Sequence, residues 1–126
     1  MYRRLFNIKE ILEKMPSQAN RIVLFADEYT MASLWRLGPG EEIYPHQHPG
    51  SDDVWVVLKG EGEYWMEKDT SPCKLSEGMV ALAPARHAHG VRNTGKESLV
   101  FVSMTAPQPA DIEPVDGLAN KAPKKK

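Results

Sequence analysis

His46 and His48, one residue apart and followed by Asp53, limit what this chain can fold into more than any other feature, and His89 answers them far downstream. The first cluster reads Gly40-EEIYP-His46-Gln47-His48-PGSD-Asp53-VWVVLK-Gly60. The second reads Gly78-MVALA-Pro84-AR-His87-Ala88-His89-GVR-Asn93. On a β-strand, alternate residues point to one face, so His46 and His48 can reach one point in space. Two neutral imidazoles and a carboxylate are ligands that transition metals accept, and a third imidazole completes a four-donor shell. The pattern predicts a metal site inside a β-barrel.

The rest of the chain is written for strands. RIVLF (21–25), TMASLWRL (30–37), VWVVLK (54–59), GEYWME (62–67), MVALA (79–83) and SLVFVSM (98–104) are short runs rich in β-branched and aromatic residues. Gly38-Pro39-Gly40, Pro49-Gly50, Ser71-Pro72 and Thr94-Gly95 punctuate them as turns. Such regular punctuation predicts an all-β sandwich or barrel. In the run 54–59, Trp55 and Val57 share the parity of Asp53 and are expected to face the interior, with Val54, Val56 and Leu58 outside. A helix is predicted over 7–15, where Ile8, Ile11, Leu12 and Met15 form an apolar stripe. Asn7 can cap it, Glu10 sits where a capping-box acid would reach back, and Pro16 ends it. The helix is expected to pack outside the barrel. Beyond Met104 the chain becomes a proline- and lysine-rich tail ending in a lysine triplet, draped on the barrel or on a partner, with a solubilising role for the lysines.

The two clusters resemble the paired motifs of the cupin superfamily. The first motif is glycine, five residues, His-x-His, three or four residues, an acid, six residues and glycine. The second is glycine, five residues, proline, then a histidine followed four residues later by asparagine. The resemblance is to a small, single-domain, cupin-2-like protein and implies a jelly-roll β-barrel. It places His46, His48, Asp53 and His89 on the four metal-ligand positions, and Gly40, Gly60, Gly78, Pro84 and Asn93 on structural ones. The cofactor it implies is one divalent transition metal per chain, Fe, Mn, Ni or Zn. The motifs span 40–93, and strand-like sequence extends the expected barrel to 20–105, between an N-terminal extension (1–19) and the tail (106–126). Two positions depart from the pattern. The acid is usually glutamate, and Asp53 is one methylene shorter. A glycine is expected two residues after Pro84, where Arg86 stands and puts a cation near the barrel mouth.

A single buried histidine is usually a core side chain satisfied by backbone hydrogen bonds. Three histidines and a carboxylate converging in an apolar barrel differ, because each buried polar group left without a partner costs on the order of 1–3 kcal/mol. Several such penalties would consume most of a typical stability of roughly 5–15 kcal/mol. A metal or a bound polar ligand relieves them together. Asp52 competes with Asp53, but the six-residue gap to Gly60 and the parity with Trp55 favour Asp53 and leave Asp52 to cap the loop. His87 and Tyr44 are the candidate acid–base or substrate contacts. Arg86 is a candidate anion grip, and Trp55, Tyr64 and Met66 are candidate pocket walls, with core packing as their ordinary alternative. Cys73, beside Pro72 and without a flanking histidine, is not expected to be a nucleophile.

Sixteen basic and seventeen acidic residues give a net charge of −1, which offers no general attraction to nucleic acid or membrane. One cysteine fits a reducing compartment, and neither a signal h-region nor a membrane span is present. A cytoplasmic protein is expected. The apolar outer face of 54–59 needs a cover, either the N-terminal helix or a second subunit, so a homodimer is expected. Two functions are open. One is a metal-dependent enzyme of dioxygenase, decarboxylase, isomerase or lyase type acting on a small molecule. The other is a non-catalytic protein that binds a sugar or organic acid.

Overall fold

Alternation of apolar and polar residues decides which face of each strand is buried, and β4 (Asp52–Lys59) shows it most clearly: Asp53, Trp55 and Val57 are buried while Val54 and Val56 are half-buried on the other face. The computed structural model describes residues 3–66 and 71–115. In chain order these form α1 (Ile8–Lys14), β1 (Arg21–Ala26), β2 (Met31–Leu37), β3 (Glu42–Gln47), β4, β5 (Glu61–Trp65), β6 (Cys73–Ser76), β7 (Val80–Ala83), β8 (His89–Arg92), β9 (Leu99–Ala106) and β10 (Glu113–Pro114). Two five-stranded antiparallel sheets result, ordered β1-β2-β9-β4-β7 and β10-β3-β8-β5-β6. This is the expected all-β barrel. Among the described residues no helix is long and apolar enough to cross a membrane.

The inner faces meet in one apolar cluster of Leu37, Trp55, Val57, Tyr64, Leu75, Val91, Leu99 and Phe101. Trp55 stacks on Phe101 at 4.3 Å and takes Tyr64 edge-on at 5.3 Å. A second cluster lies outside the first sheet, where Ile8, Ile11, Leu12 and Met15 cover Leu34, Val100 and Val102. The helix is held at both ends. Asn7 accepts a hydrogen bond from the Glu10 amide at 3.0 Å, and the Arg36 guanidinium donates to the carbonyls of Leu12, Pro16 and Ala19.

Asn93 joins the ends of both motifs. Its amide nitrogen donates to the carbonyls of Leu37 and Glu97, both at 2.8 Å, and its side-chain oxygen accepts from Gly95 N at 2.8 Å. Its main chain accepts from Gly40 N and donates to the Glu41 carbonyl. Gly60 is needed for a different reason. Its φ is +86°, and a Cβ there would lie 2.5 Å from the Ser98 carbonyl oxygen.

Strands β3, β6, β8 and β10 are not among the runs expected from propensity, because they are short or interrupted by proline, glycine and charged or imidazole side chains, and pairing partners supply the order. The tail is draped on the barrel from its first residues. Ser51 Oγ donates to the Pro107 carbonyl, Gln108 N to Tyr29 O, and Val115 N to Pro45 O, while Glu113 and Pro114 pair with Gln47 and His46. The lysine triplet and Glu67, the end of the expected strand 62–67, lie outside the described residues.

Replacing Asn93 with alanine is expected to cost about 2–3 kcal/mol, because it strips partners from buried backbone groups at the junction of two turns. Urea denaturation checks this, and an unchanged midpoint would show that the junction is held by other contacts.

Candidate metal centre

Three strands from two sheets build the centre. His46 lies on β3 directly opposite His89 on β8, so register alone brings these rings to a centroid distance of 4.3 Å. His48 follows just past the end of β3, with its ring 5.0 Å from His46 and 5.2 Å from His89. Asp53 comes from the opposing sheet. Its Oδ2 lies 2.9 Å from His89 Nε2 and 3.3 Å from His48 Nε2. One potential ligand atom from each of these residues falls within 4.8 Å of every other.

Backbone carbonyls orient the imidazoles. Nδ1 of His46 donates to Tyr44 O at 2.8 Å, that of His48 to Asp111 O at 2.9 Å, and that of His89 faces His87 O at 3.4 Å. With Nδ1 committed to the backbone, Nε2 is the atom each ring turns to the centre. Trp55 supports the arrangement from below, its ring edge-on to His89 at 5.6 Å.

The charge state follows from burial and these bonds. Burial pushes His46 down to about 4, and the nearby His89 and His48 add to that against the opposing bond to Tyr44. Burial acts to raise Asp53, but bonds from His48 and His89 more than offset it and hold the carboxyl at about 2. The bond to Asp53 raises His48, with burial opposing it. Asp53 is therefore an anion and His46 a neutral base at pH 7. Asp53 Oδ1 is buried with no hydrogen-bond partner among the described residues. Three imidazole nitrogens and a carboxylate with one bare oxygen suit a divalent transition metal, and the donor set fits one.

The centre opens onto a cavity of about 370 Å³, walled by Trp35, Ile43, Tyr44 and Trp55 and crossed by the tail at Ala110, Ile112 and Pro114. Tyr44 stands on this wall with 45% of its surface exposed, whereas Tyr64 lies in the apolar core and Met66 is exposed just beyond β5. Burial raises the Tyr64 phenol, and the charge of Asp53 adds to the shift. Arg86 and His87 are exposed on the turn after β7 and are not among the residues lining the cavity. Arg86 N donates to His48 O and its Nε to Pro49 O, tying the turn to the loop that carries His48. Its φ of 70° lies in the left-handed region, which explains why glycine is the usual residue there. Asp52 is exposed and accepts from Ala85 N, so it fastens the same turn. The tail's contribution, Asp111 O on His48, carries no sequence signal because a backbone carbonyl supplies it.

A pH dependence follows for the metal-free protein. His46 has a folded value near 4 against about 6.5 free, so the unfolded chain takes up the proton first and stability falls as pH drops across that window. The Asp53 contribution is lost only as pH falls through about 2, below the window. The His48 contribution is present below 6.5 and lost as pH rises through its raised value. His46→Gln removes only the first of these. Between pH 7 and 4.5 the chelated wild type should lose more of its urea midpoint than His46→Gln, and parallel profiles would show that His46 is not held neutral.

The Cupin_2 family model, a cupin domain, matches residues 33–105, more than half the chain. A solved structure of a conserved protein with a double-stranded β-helix domain, from Klebsiella pneumoniae subsp. pneumoniae MGH 78578, is similar with a TM-score of 0.80 and 32% identity, covering 91% of this chain and 99% of that one. The polyketide synthase CurC of Streptomyces cyaneus is 35% identical over 75 residues, which are 57% of this chain and 47% of that protein. The oxalate-binding protein of Thermotoga maritima is 29% identical over 69 residues, 55% of each chain. The chain thus spans about half the length of these two curated relatives. The family match runs from β2 to β9 and takes in every residue of the centre, so the chain belongs to the cupin domain family.

Proposed function

We propose that this protein binds one divalent transition metal, Fe, Mn, Ni or Zn, through His46, His48, Asp53 and His89, and acts on a small oxygen-bearing molecule in the adjoining cavity. One observation carries the proposal: four donor atoms within 4.8 Å of one another, from three imidazoles and a carboxylate, with His46, His48 and Asp53 forming part of the cavity lining. When bound, such a metal supplies Lewis-acid polarisation of a substrate oxygen or, if it is iron, activation of dioxygen. The chain's own residues do the rest. Trp35, Ile43 and Trp55 exclude water from the cavity walls, and Tyr44 is the group placed to exchange a proton with a bound molecule. His87 supports the centre through its carbonyl facing His89, and Arg86 through its bonds to the His48 loop. Oxygenase, decarboxylase, isomerase and lyase chemistries all fit such a centre, and the identity of the metal selects among them. The likeness to an oxalate-binding protein favours a second reading, in which the same centre holds an organic acid without turnover.

We infer in addition that two copies pair through the outer face of the first sheet. The helix covers that face at Leu34 and Val100, but beside it Val80 and Leu82 are 63% and 59% exposed, flanked by the half-buried Val54 and Val56. A second copy would cover this stripe.

Elemental analysis of protein purified without a histidine tag should find near one equivalent of a single transition metal, lost in His46→Ala/His48→Ala with the barrel still folded. Unchanged metal content in that variant overturns the ligand assignment. Asp53→Glu should retain the metal. In sedimentation velocity the wild type should run as a dimer and Val80→Lys/Leu82→Lys as a monomer, and a monomeric wild type removes the dimer.

A further inference from the structure

Arg21, exposed at the start of edge strand β1, places a cation on the lining of the same cavity as the four-donor centre. It pairs across β1 and β2 with Trp35, and directly paired residues share a face of the sheet. The guanidinium lies over the Trp35 ring at 5.6 Å, and that ring is fixed by Nε1 donating to Ser103 Oγ at 3.1 Å. Arg21 Nε donates to Ser33 Oγ at 3.2 Å, and Nη2 lies 3.3 Å from Met31 Sδ. These contacts hold the group at the cavity without neutralising it, because among the described residues Arg21 makes no ion pair. A guanidinium has five N–H donors, so with two engaged, three remain for a ligand.

Sheet register relates this cation to the metal centre. Thr105 on β9 pairs with Met31 on one side and Asp53 on the other, so Met31 and Asp53 lie in one row, two strands apart. At strand spacings near 4.8 Å that is about 10 Å between their backbones. The guanidinium at Met31 and the carboxylate of Asp53 both border the cavity along that row. The wall between them sets Trp35, Trp55, Ile43 and, from the tail, Ile112 beside the hydroxyls of Ser33, Ser103 and Thr105, of which Ser33 accepts from Arg21 and Ser103 from Trp35.

We propose that the cavity selects a carboxylic acid of intermediate length, its carboxylate held by Arg21 and a second oxygen function directed at the His46–His48–Asp53–His89 centre. The planar guanidinium matches a carboxylate with two parallel bonds, which a point charge does not. A two-carbon diacid such as oxalate is too short to bridge both poles. The carboxylate pole stands on Arg21 alone, whereas the second contact rests on the metal reading above. The ordinary alternative is that an exposed charge on β1 only keeps this edge strand from pairing with other chains.

Hexanoate and adipate separate these ideas, with binding followed by calorimetry or tryptophan quenching. Hexanoate needs Arg21 and the apolar wall, while adipate can also reach the metal. Both should bind the wild type, adipate more tightly than oxalate, and Arg21→Gln should weaken both by about tenfold or more. Arg21→Lys should recover only part of the loss. Hexanoate binding should persist in His46→Ala/His48→Ala, so a failure of the metal reading would leave the Arg21 result standing. Equal affinities in wild type and a folded Arg21→Gln would overturn the proposal. So would no saturable binding of either acid up to about 10 mM, an affinity worth only a few kcal/mol. Inorganic phosphate displacing hexanoate at lower concentration than acetate does would overturn the assignment to carboxylates.

Discussion

One carboxylate reaching across the barrel organises this molecule. Asp53 stands on β4 in the first sheet, and its Oδ2 meets two imidazoles presented by the second. Everything around the pair is set by the need to keep that contact dry and aligned. Trp55 and Val57, two and four residues further along the same strand face, continue it into the apolar core. A buried anion is tolerable only with charge and hydrogen bonds of opposite sense beside it. His48 and His89 supply the hydrogen bonds to Oδ2, and Oδ1, unpartnered among the described residues, leaves room for a further positive partner. Fold and site are therefore one constraint: the strands that close the barrel also bring the donors together.

Much of this was legible in the sequence, for reasons particular to certain residues. His46 and His48 are separated by one residue, and a strand puts such pairs on one side. Asp53, Trp55 and Val57 alternate without interruption, and the structure buries all three. The α1 stripe was equally plain, because Asn7, Ile8, Ile11, Leu12 and Met15 combine a cap with a full apolar face. Less legible were the segments whose order comes from elsewhere. β3 contains proline and histidine, and it is a strand because β8 and β10 pair with it on either side. The tail drapes on the barrel as expected, but nothing in its composition, with four prolines within 107–123, shows that Asp111 lends its carbonyl to His48 or that Ile112 walls the cavity. Backbone carbonyls and cross-strand pairings leave no trace in residue identity.

Arg86 and Arg21 show how differently two arginines can be read. Arg86 stands out in the sequence because it replaces a glycine, and its φ of 70° confirms that the backbone there has the conformation glycine favours. Its side chain bonds to a loop carbonyl and stays exposed, so the departure is explained by a turn that tolerates the residue and is tied down by it. Arg21 is unremarkable in the sequence, at the start of a run of apolar residues. Only the register of β1 against β2 reveals that its charge shares a face with Trp35 and hence with the cavity.

The cavity then has two unlike ends, both anchored in the first sheet by Arg21 on β1 and Asp53 on β4. One end carries an anion and three imidazoles, the other a guanidinium, and between them lie tryptophan and isoleucine with the hydroxyls of Ser33, Ser103 and Thr105. A ligand with a uniformly polar surface would leave the aromatic walls without contacts, while a wholly apolar one would desolvate Arg21 without replacing its lost water. The proposed acids meet both demands, with a carboxylate for Arg21, a second oxygen function for the centre and methylenes for the aromatic walls. The tail makes that match stricter, since Ile112 and Pro114 add apolar wall while Asp111 fixes the His48 ring from the same segment. Displacing this segment to admit a larger ligand would release the carbonyl that orients His48, so the size of the cavity and the geometry of the centre are coupled through one short stretch of chain.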